Sequence, residues 1–222
     1  AWDKHNADLL KRCEYLNSLG IKSLHYTASN GTDFTVGLIP EATFQGGGEN
    51  ALGSGIYFNP NMPTEEVFIS PMRGEAEGIV HSTMPLSYRG QLIDKFWLRF
   101  EGGKAVEVGA EVGEAALKDM VSMDEGAAYL GECALVPQNS PICQSGILFY
   151  NTLFDENAAC HLAVGRGFTD CIRDHHNKTL QECQELGIND SMIHVDFMIG
   201  CDTMNIDATT RDGKIVPIFR NG

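Results

Sequence analysis

The apolar positions of this chain first follow a helical period and then, over most of its length, a strand-like alternation. The opening stretch, residues 3–20, predicts an amphipathic helix, because its apolar side chains mostly recur three or four positions apart. These side chains are Leu9, Leu10, Cys13, Leu16 and Leu19. Two runs rich in β-forming residues, 21–28 and 34–39, flank an Asn30-Gly31 pair that is typical of a hairpin turn.

The rest of the pattern predicts more sheet than helix. Between residues 67 and 111 strands alternate with turns, and the segments 91–101 and 104–111 flank the turn Gly102-Gly103. Further helices are predicted over 113–123 and 176–186, and further strands over 133–136, 193–199, 204–209 and 214–219. Because helices and hairpins mix without a regular strand-helix-strand repeat, the predicted class is α+β, with a mainly antiparallel or mixed sheet and flanking helices. We expect residues 1–222 to form a single domain.

Composition and charge exclude several classes of protein. The chain has 222 residues, of which 43% are hydrophobic, enough for a sizeable core. Its 30 acidic and 16 basic residues give a formal net charge of -14, which disfavours binding to nucleic acid or to anionic lipid. No apolar stretch approaches the roughly 20 residues that a membrane-spanning helix needs. The glycine-rich loop 44–55 lacks the Gly-Lys-Ser/Thr ending of a phosphate-binding loop.

The 7 cysteines are odd in number and far apart, so no Cys-x-x-Cys pair suggests a zinc ribbon or a redox centre. Free thiols in a reducing compartment are the natural interpretation, and we expect a cytoplasmic protein. The chain begins with Ala rather than Met and runs straight into the predicted helix. This pattern suggests a domain excised from a longer protein.

His194 and Asp196 are two residues apart in a predicted strand whose other positions are mostly apolar. In a strand such residues face the same side, while Ile193, Val195 and Phe197 face the other side. A polar pair on one face of an apolar strand is a candidate metal-binding edge. A buried hydrogen bond between the two side chains is an equally good interpretation of this motif alone.

Three further segments carry carboxylates or imidazoles beside apolar runs. Glu66 follows Glu65 just before a predicted strand, and adjacent acids of this kind are commonly solvated. Glu132 stands inside an apolar run, where its burial requires a nearby cation or a proton. Glu156 and His161 are five residues apart, not the four of a zincin helix, and Glu156 is alternatively an exposed helical acid.

Together these segments supply hard oxygen ligands and imidazoles of the kind that hold two divalent ions. The predicted ligands are Glu66, Glu132, Glu156, His161, His194 and Asp196. Four carboxylates placed together would raise one another's pKa values unless about four positive charges lay among them, and two divalent cations carry that charge. The other paired histidines, His175 and His176, are predicted to lie on the surface.

The segments that carry these residues resemble the conserved segments of the M29 family of metal-dependent aminopeptidases. They read PTEEVFISP, LGECALV, NTLFDENAACHLAVG and MIHVDFMIG. The resemblance runs over nearly the whole chain, in order and with compatible spacing. Family members are longer, and this chain resembles their C-terminal, metal-binding half, so we expect the N-terminal domain to be absent. The resemblance implies the same six metal ligands, two zinc, cobalt or manganese ions, and the fold of a metallo-aminopeptidase C-terminal domain.

The resemblance also implies a reaction, the hydrolysis of the N-terminal residue from peptides by a water molecule that two divalent ions activate. The family has a catalytic tyrosine seven residues after the ligand histidine, and here this position is Phe168. Tyr150 is a candidate replacement for the missing phenol. Glu65, beside a ligand, is the predicted general base, and Glu132 or Asp196 is the predicted bridging carboxylate.

Two other functions remain open at this stage. A metal-binding or dimerisation module without catalytic activity is favoured by Phe168 and by the expected absence of the N-terminal half. A mononuclear iron oxygenase would use His194-Val195-Asp196 as the start of its facial triad, but no histidine follows His194 to complete it. The expected partners are peptides with a free amino terminus and, by analogy with cytosolic exopeptidases, a second copy of the chain in a homodimer.

Overall fold

The computed structural model describes residues 1–51 and 53–222, which form five α-helices, four short 3-10 helices and fourteen strands. The helices are α1 (Trp2–Ser18), α2 (Glu114–Val121), α3 (Pro141–Ser145), α4 (Thr152–Asp155) and α5 (Leu180–Leu186). Short 3-10 helices lie over Gly126–Ala128, Glu156–Ala158, Thr169–Cys171 and His175–Asn177. The strands are β1 (Ile21–Thr27), β2 (Asp33–Leu38), β3 (Glu49–Asn50), β4 (Tyr57–Phe58), β5 (Val67–Ile69), β6 (Pro71–His81), β7 (Leu86–Tyr88), β8 (Gln91–Glu101), β9 (Lys104–Val112), β10 (Leu130–Leu135), β11 (His161–Gly165), β12 (His194–Met198), β13 (Asn205–Thr210) and β14 (Ile215–Phe219). Leu52, within the predicted loop 44–55, lies outside the described residues.

The strand pairs in the described residues are antiparallel and form three sheets. The largest sheet has eight strands in the order β14-β13-β1-β2-β6-β8-β7, with β9 also paired to β8. The second sheet has four strands in the order β12-β11-β10-β5, and β3 and β4 form a two-stranded ribbon. The predicted α+β class with a mainly antiparallel sheet is confirmed.

The first helix and the first hairpin form as their patterns predict. Helix α1 buries Leu9, Cys13 and Leu16 along one face. Fully burying a leucine side chain stabilises a fold by about 1.5–3 kcal/mol, so this face anchors α1 to the core. Strands β1 and β2 pair from Ser23 opposite Gly37 to Thr27 opposite Asp33. No helix within the described ranges combines the length and the apolar character needed to cross a membrane.

The four-stranded sheet packs one of its faces against the large sheet. The rings of Phe96 in β8 and Phe197 in β12 lie 5.8 Å apart between them. Residues of β5 and β10 that face the same way, Ile69 and Cys133, are also buried in this core. Because neighbouring residues of a strand face opposite sides, the alternate positions of these strands are left to form the other face of the sheet.

Two predicted boundaries differ from the structure by three or more residues. Helix α5 begins at Leu180, not at residue 176, because Thr179 and Glu182 form a capping box. In it, the Glu182 backbone N–H donates to Thr179 Oγ1 at 3.2 Å, and the Thr179 backbone N–H donates to the Glu182 carboxylate at 2.6 Å. Strand β10 begins at Leu130, not at residue 133, since its pairing with β11 starts there. Glu132 is therefore inside a paired strand.

Candidate metal centre

One face of the four-stranded sheet carries most of the predicted ligands. Glu132 of β10 lies opposite Ala163 of β11, which in turn lies opposite Asp196 of β12. His161 is two residues before Ala163, and His194 is two residues before Asp196, so both imidazoles share this face. The small side chain of Ala163 leaves room between the two carboxylates.

Glu66 and Glu156 approach the same face from outside these three strands. Glu66 directly precedes β5, and Glu156 begins a 3-10 helix; both are more than nine-tenths buried. The side chain of Asn157 links the two segments. Its Oδ1 accepts from the Glu65 backbone N–H at 2.7 Å, and its Nδ2 donates to the carbonyl of Leu153 at 3.1 Å. Asn157 therefore helps to position both glutamates.

The ligand atoms form two clusters that share Glu132. In each cluster the three atoms lie within 4.8 Å of one another, and the clusters are Glu66, Glu132 and His161, and Glu132, His194 and Asp196. Nε2 of His161 lies 3.0 Å from Glu66 Oε2. Nε2 of His194 lies 3.1 Å from Glu132 Oε2 and 3.2 Å from Asp196 Oδ1. The structure thus brings five of the six predicted ligands into contact.

The hydrogen bond at Nδ1 of each imidazole fixes the orientation of Nε2, which faces the carboxylates. Nδ1 of His161 lies 3.1 Å from the carbonyl oxygen of Ala159, and Nδ1 of His194 lies 2.7 Å from that of Arg166. A carbonyl oxygen only accepts hydrogen bonds, so both Nδ1 atoms are the donors. Each Nε2 atom therefore needs an added proton or a cation between itself and the carboxylates that it faces.

Three buried atoms of the clusters have no hydrogen-bond partner among the described residues. They are Glu66 Oε2, His161 Nε2 and Asp196 Oδ1. The contact between His161 and Glu66 has the distance but not the angles of a hydrogen bond. Leaving buried polar atoms unpaired costs about 1–3 kcal/mol each. A divalent cation would satisfy all three atoms, so the residues fit such an ion.

Burial and mutual repulsion shift the titration of the clusters. Burial, reinforced by the neighbouring carboxylates, raises the pKa of Glu132 to about 7 and the pKa of Glu156 to about 8. Burial alone lowers the pKa of an imidazole, but the adjacent carboxylates outweigh it. They raise the pKa of His161 to about 10 and the pKa of His194 to about 11. The clusters therefore hold protons strongly where no other cation is bound.

The clusters lie at a cavity of about 630 Å³, which Glu156 also lines. Phe168 forms part of its wall, with its ring centroid 4.8 Å from that of His194. Tyr150 is 64% exposed and is not among the residues that line the cavity, and its role as a replacement phenol stays a prediction. A larger groove of about 950 Å³ along β8, β9 and α2 contains none of the predicted ligands.

Glu65 differs from its neighbour Glu66 in that it does not line the cavity. Its carboxylate lies 3.8 Å from Nε2 of His5. The same nitrogen donates to the carbonyl oxygen of Thr64 at 2.6 Å. The general-base role of Glu65 stays a prediction.

Sequence reasoning missed several residues of the cavity wall. His175 and His176 line the cavity, so their prediction as plain surface residues is incomplete. Arg173 and the glycines 46–48 line it as well. The segment that leads into the glycines and the segment that leads into Arg173 meet through an antiparallel bridge between Ala42 and Ile172, which are far apart in the sequence. No local pattern in the sequence indicates that pairing.

The sequence profile of the thermophilic metalloprotease (M29) family matches residues 1–222. The chain belongs to the M29 family. Its M29 relatives include aminopeptidase AmpS of Bacillus subtilis (strain 168), which is 50% identical over 222 residues that cover 100% of this chain and 54% of AmpS. Aminopeptidase T of Thermus aquaticus is 45% identical over 222 residues, which are 100% of this chain and 53% of that relative. The M29 chain spans about half the length of the curated relatives that it matches.

Solved structures agree with this family assignment. Wild-type AmpT from Thermus thermophilus superimposes with a TM-score of 0.92 at 42% identity, covering 100% of the M29 chain and 54% of AmpT. A 2,5-dihydroxypyridine dioxygenase from Pseudomonas putida KT2440 gives a TM-score of 0.57 at 16% identity, covering 96% of the M29 chain and 62% of the dioxygenase. This second likeness shows a shared fold alone. The resemblance that the sequence motifs indicated is confirmed.

Proposed function

We propose that this M29 chain holds the catalytic centre of an aminopeptidase, which uses two divalent cations to hydrolyse the first peptide bond of a peptide with a free amino terminus. The observation that carries the proposal is the pair of imidazole Nε2 atoms aimed at buried carboxylates. His161 and His194 each donate from Nδ1 to a backbone carbonyl, which leaves Nε2 oriented as a metal ligand. The aminopeptidases among the M29 relatives support the same conclusion.

The two clusters suggest how the ligands divide between the cations. The proposed ligands are Glu66 and His161 for one cation and His194 and Asp196 for the other. Glu132 is the proposed bridging carboxylate, because it belongs to both clusters and has two oxygens. Glu156, buried in the same cavity, completes the set. Zinc, cobalt and manganese all accept such oxygen and nitrogen ligands.

When bound, the two cations supply Lewis acidity and lower the pKa of a water molecule toward neutrality. The chain's own residues orient the ligands and receive the substrate. Glu49, Asp170 and Asp174, which are not among the proposed ligands, also line the cavity, and their carboxylates attract the ammonium group of a peptide. Phe68 and Phe168 exclude water from one wall of the cavity. Glu65 is the proposed general base because it adjoins the ligand Glu66 in the chain.

Removal of two proposed ligands tests this function. We expect the double variant Glu132→Ala/His161→Ala to lose most of its bound divalent metal, measured by mass spectrometry. It should also stop releasing free amino acid from an unblocked dipeptide. The matched control is His25→Ala/Glu111→Ala, which removes the same residue types from exposed positions. Circular dichroism checks that both variants are folded.

The outcomes separate the three candidate functions. Two divalent ions per chain, with cleavage of the free but not the N-acetylated dipeptide, support the aminopeptidase. Two ions without any cleavage would indicate the inert metal-binding module that Phe168 favours. A single iron would instead indicate an oxygenase. Unchanged metal content in the Glu132→Ala/His161→Ala variant would reject the proposed centre.

A further inference from the structure

The cavity of the metal centre also contains a cationic side chain that is not part of the centre. Arg173 is exposed and lines this cavity, and it also borders a small pocket of about 40 Å³ beside Leu16 and Arg211. Within residues 1–51 and 53–222 the guanidinium group of Arg173 makes no hydrogen bond and no ion pair within 4.0 Å. Asp170 and Asp174 line the same cavity without reaching it. Its five N–H donors are therefore available to a ligand.

The backbone that carries Arg173 is held on both sides. The Arg173 N–H donates to the carbonyl of Glu41 at 3.0 Å, and the Thr43 N–H donates to the carbonyl of Cys171 at 2.8 Å. Between these bonds Ala42 and Ile172 form an antiparallel bridge. The side chain thus starts from a fixed point on the cavity wall.

Four of the seven other arginines of this acidic chain have anionic partners. Arg73, Arg99, Arg166 and Arg220 each form an ion pair with an aspartate or glutamate. Arg12, Arg89 and Arg211 form no ion pair among the described residues either, but none of them lines this cavity. An arginine that stays unpaired at the cavity with the carboxylate clusters is therefore placed to meet an anionic group of the substrate.

We propose that Arg173 binds the C-terminal carboxylate of the peptide whose first bond is hydrolysed at the metal centre, so that short peptides with a free carboxylate are the preferred substrates. This inference rests on the proposed aminopeptidase function. A guanidinium group binds a carboxylate through two parallel N–H···O bonds, which fixes orientation as well as charge. The cavity volume of about 630 Å³ falls within the range of roughly 300–1,000 Å³ typical of sites for small ligands.

The test compares di-, tri- and tetrapeptides, each as the free acid and as the C-terminal amide, with the metal-loaded chain. We expect kcat/KM to favour the acid by about ten- to a hundredfold at the length that spans the cavity. Arg173→Gln should remove this preference, because it slows cleavage of the acid far more than cleavage of the amide. Arg12→Gln is the control, since Arg12 is exposed on α1 and does not line the cavity.

Calorimetry with uncleavable peptides that begin with a D-amino acid gives a readout independent of turnover. Tighter binding of the acid than of the amide, lost in Arg173→Gln, supports the carboxylate site even if no amino acid is released, an outcome in which only the proposed hydrolysis fails. Equal binding and equal cleavage of acid and amide by the unmodified chain would overturn the role of Arg173 and leave the aminopeptidase proposal intact. Equal losses for acid and amide in Arg173→Gln would overturn it as well.

Discussion

The ring of Phe168 lies between Phe68 and His194, with centroid distances of 5.3 and 4.8 Å. Its backbone N–H donates to Ser70 Oγ at 2.7 Å, which fixes the start of the side chain. At this position the M29 resemblance leads to the expectation of a tyrosine, whose hydroxyl would donate a hydrogen bond to the developing oxyanion. The side chain of Phe168 offers no such donor.

Restoring the hydroxyl should therefore speed the proposed peptide hydrolysis. We expect Phe168→Tyr to raise kcat by about ten- to a hundredfold, because an oxyanion donor contributes roughly 10²–10³ in kcat where it is well aligned. Steady-state kinetics on an unblocked dipeptide measures the change, with metal content checked in parallel. Phe68→Tyr is the control, since it adds a hydroxyl elsewhere in the same cavity. A kcat that does not rise in Phe168→Tyr, or that rises equally in both variants, would show that the phenol has no special role here.

At the scale of single residues, the sequence predicted most where local periodicity suffices. His194 and Asp196 share a face because strand residues two apart always do. Glu132 was open to several interpretations, since nothing local shows that Ala163 and Asp196 lie beside it across two strand pairings. No pattern in the sequence pointed to Arg173, because its proposed role depends on the cavity that it lines.

At the scale of elements, the 3-10 helix Glu156–Ala158 connects the two outlying glutamates. Asn157 is fully buried and bonds to Glu65, Leu153 and Pro63 through its side chain. Its own carbonyl accepts from Ser140 Oγ at 2.8 Å. One amide thus ties this helix to the segment that precedes β5.

Loss of the Asn157 side chain should loosen both glutamates. We expect Asn157→Ala to lower the free energy of unfolding by about 2–3 kcal/mol, because the Glu65 N–H and two carbonyls lose their partners. Metal affinity should fall as well. Urea unfolding and metal titration measure the two effects, with the exposed Asn177→Ala as the control. A loss below about 1 kcal/mol together with unchanged metal affinity would contradict this linking role.

Helices and strands were predictable where the sequence pattern of a single segment is sufficient to define them. Helix α1 and the hairpin of β1 and β2 form from spacing and an Asn-Gly turn. The start of α5 was missed although the capping box of Thr179 and Glu182 is visible in the sequence, because the apolar period alone placed it too early. The order β12-β11-β10-β5 depends on contacts between distant segments, which a single sequence does not reveal.

At the scale of the whole molecule, the buried clusters make stability depend on pH. The pKa of Glu132 rises from 4.5 to about 7 and that of His161 from 6.5 to about 10. Between pH 4.5 and about pH 10 the folded, cation-free protein therefore binds more protons than the unfolded chain. The free energy of unfolding falls as pH rises over this range. The pKa of Asp196 is lowered from 3.8, and its opposite contribution therefore lies at more acidic pH.

This linkage predicts that the stability of the cation-free protein falls as pH rises, while the stabilisation gained from a bound cation increases. In the presence of a chelator, we expect the urea midpoint to fall steadily between pH 6 and pH 9. The stabilisation gained on adding a divalent cation should grow over the same range, because the cation then displaces fewer protons. The Glu132→Ala/His161→Ala variant should show a flatter dependence in chelator. A cation-free protein that became more stable as pH rose would show that the raised pKa values are wrong.

The antiparallel register of the four-stranded sheet also limits how this chain can change over time. Glu132, Ala163 and Asp196 form one cross-strand row, and the adjoining positions of each strand face the core. Inserting or deleting a single residue between His194 and Asp196 in β12 would place these two ligands on opposite faces of the sheet. Length variation among descendants of this sequence should therefore accumulate in segments such as 137–150, outside the strands of this sheet, while these strands keep their lengths.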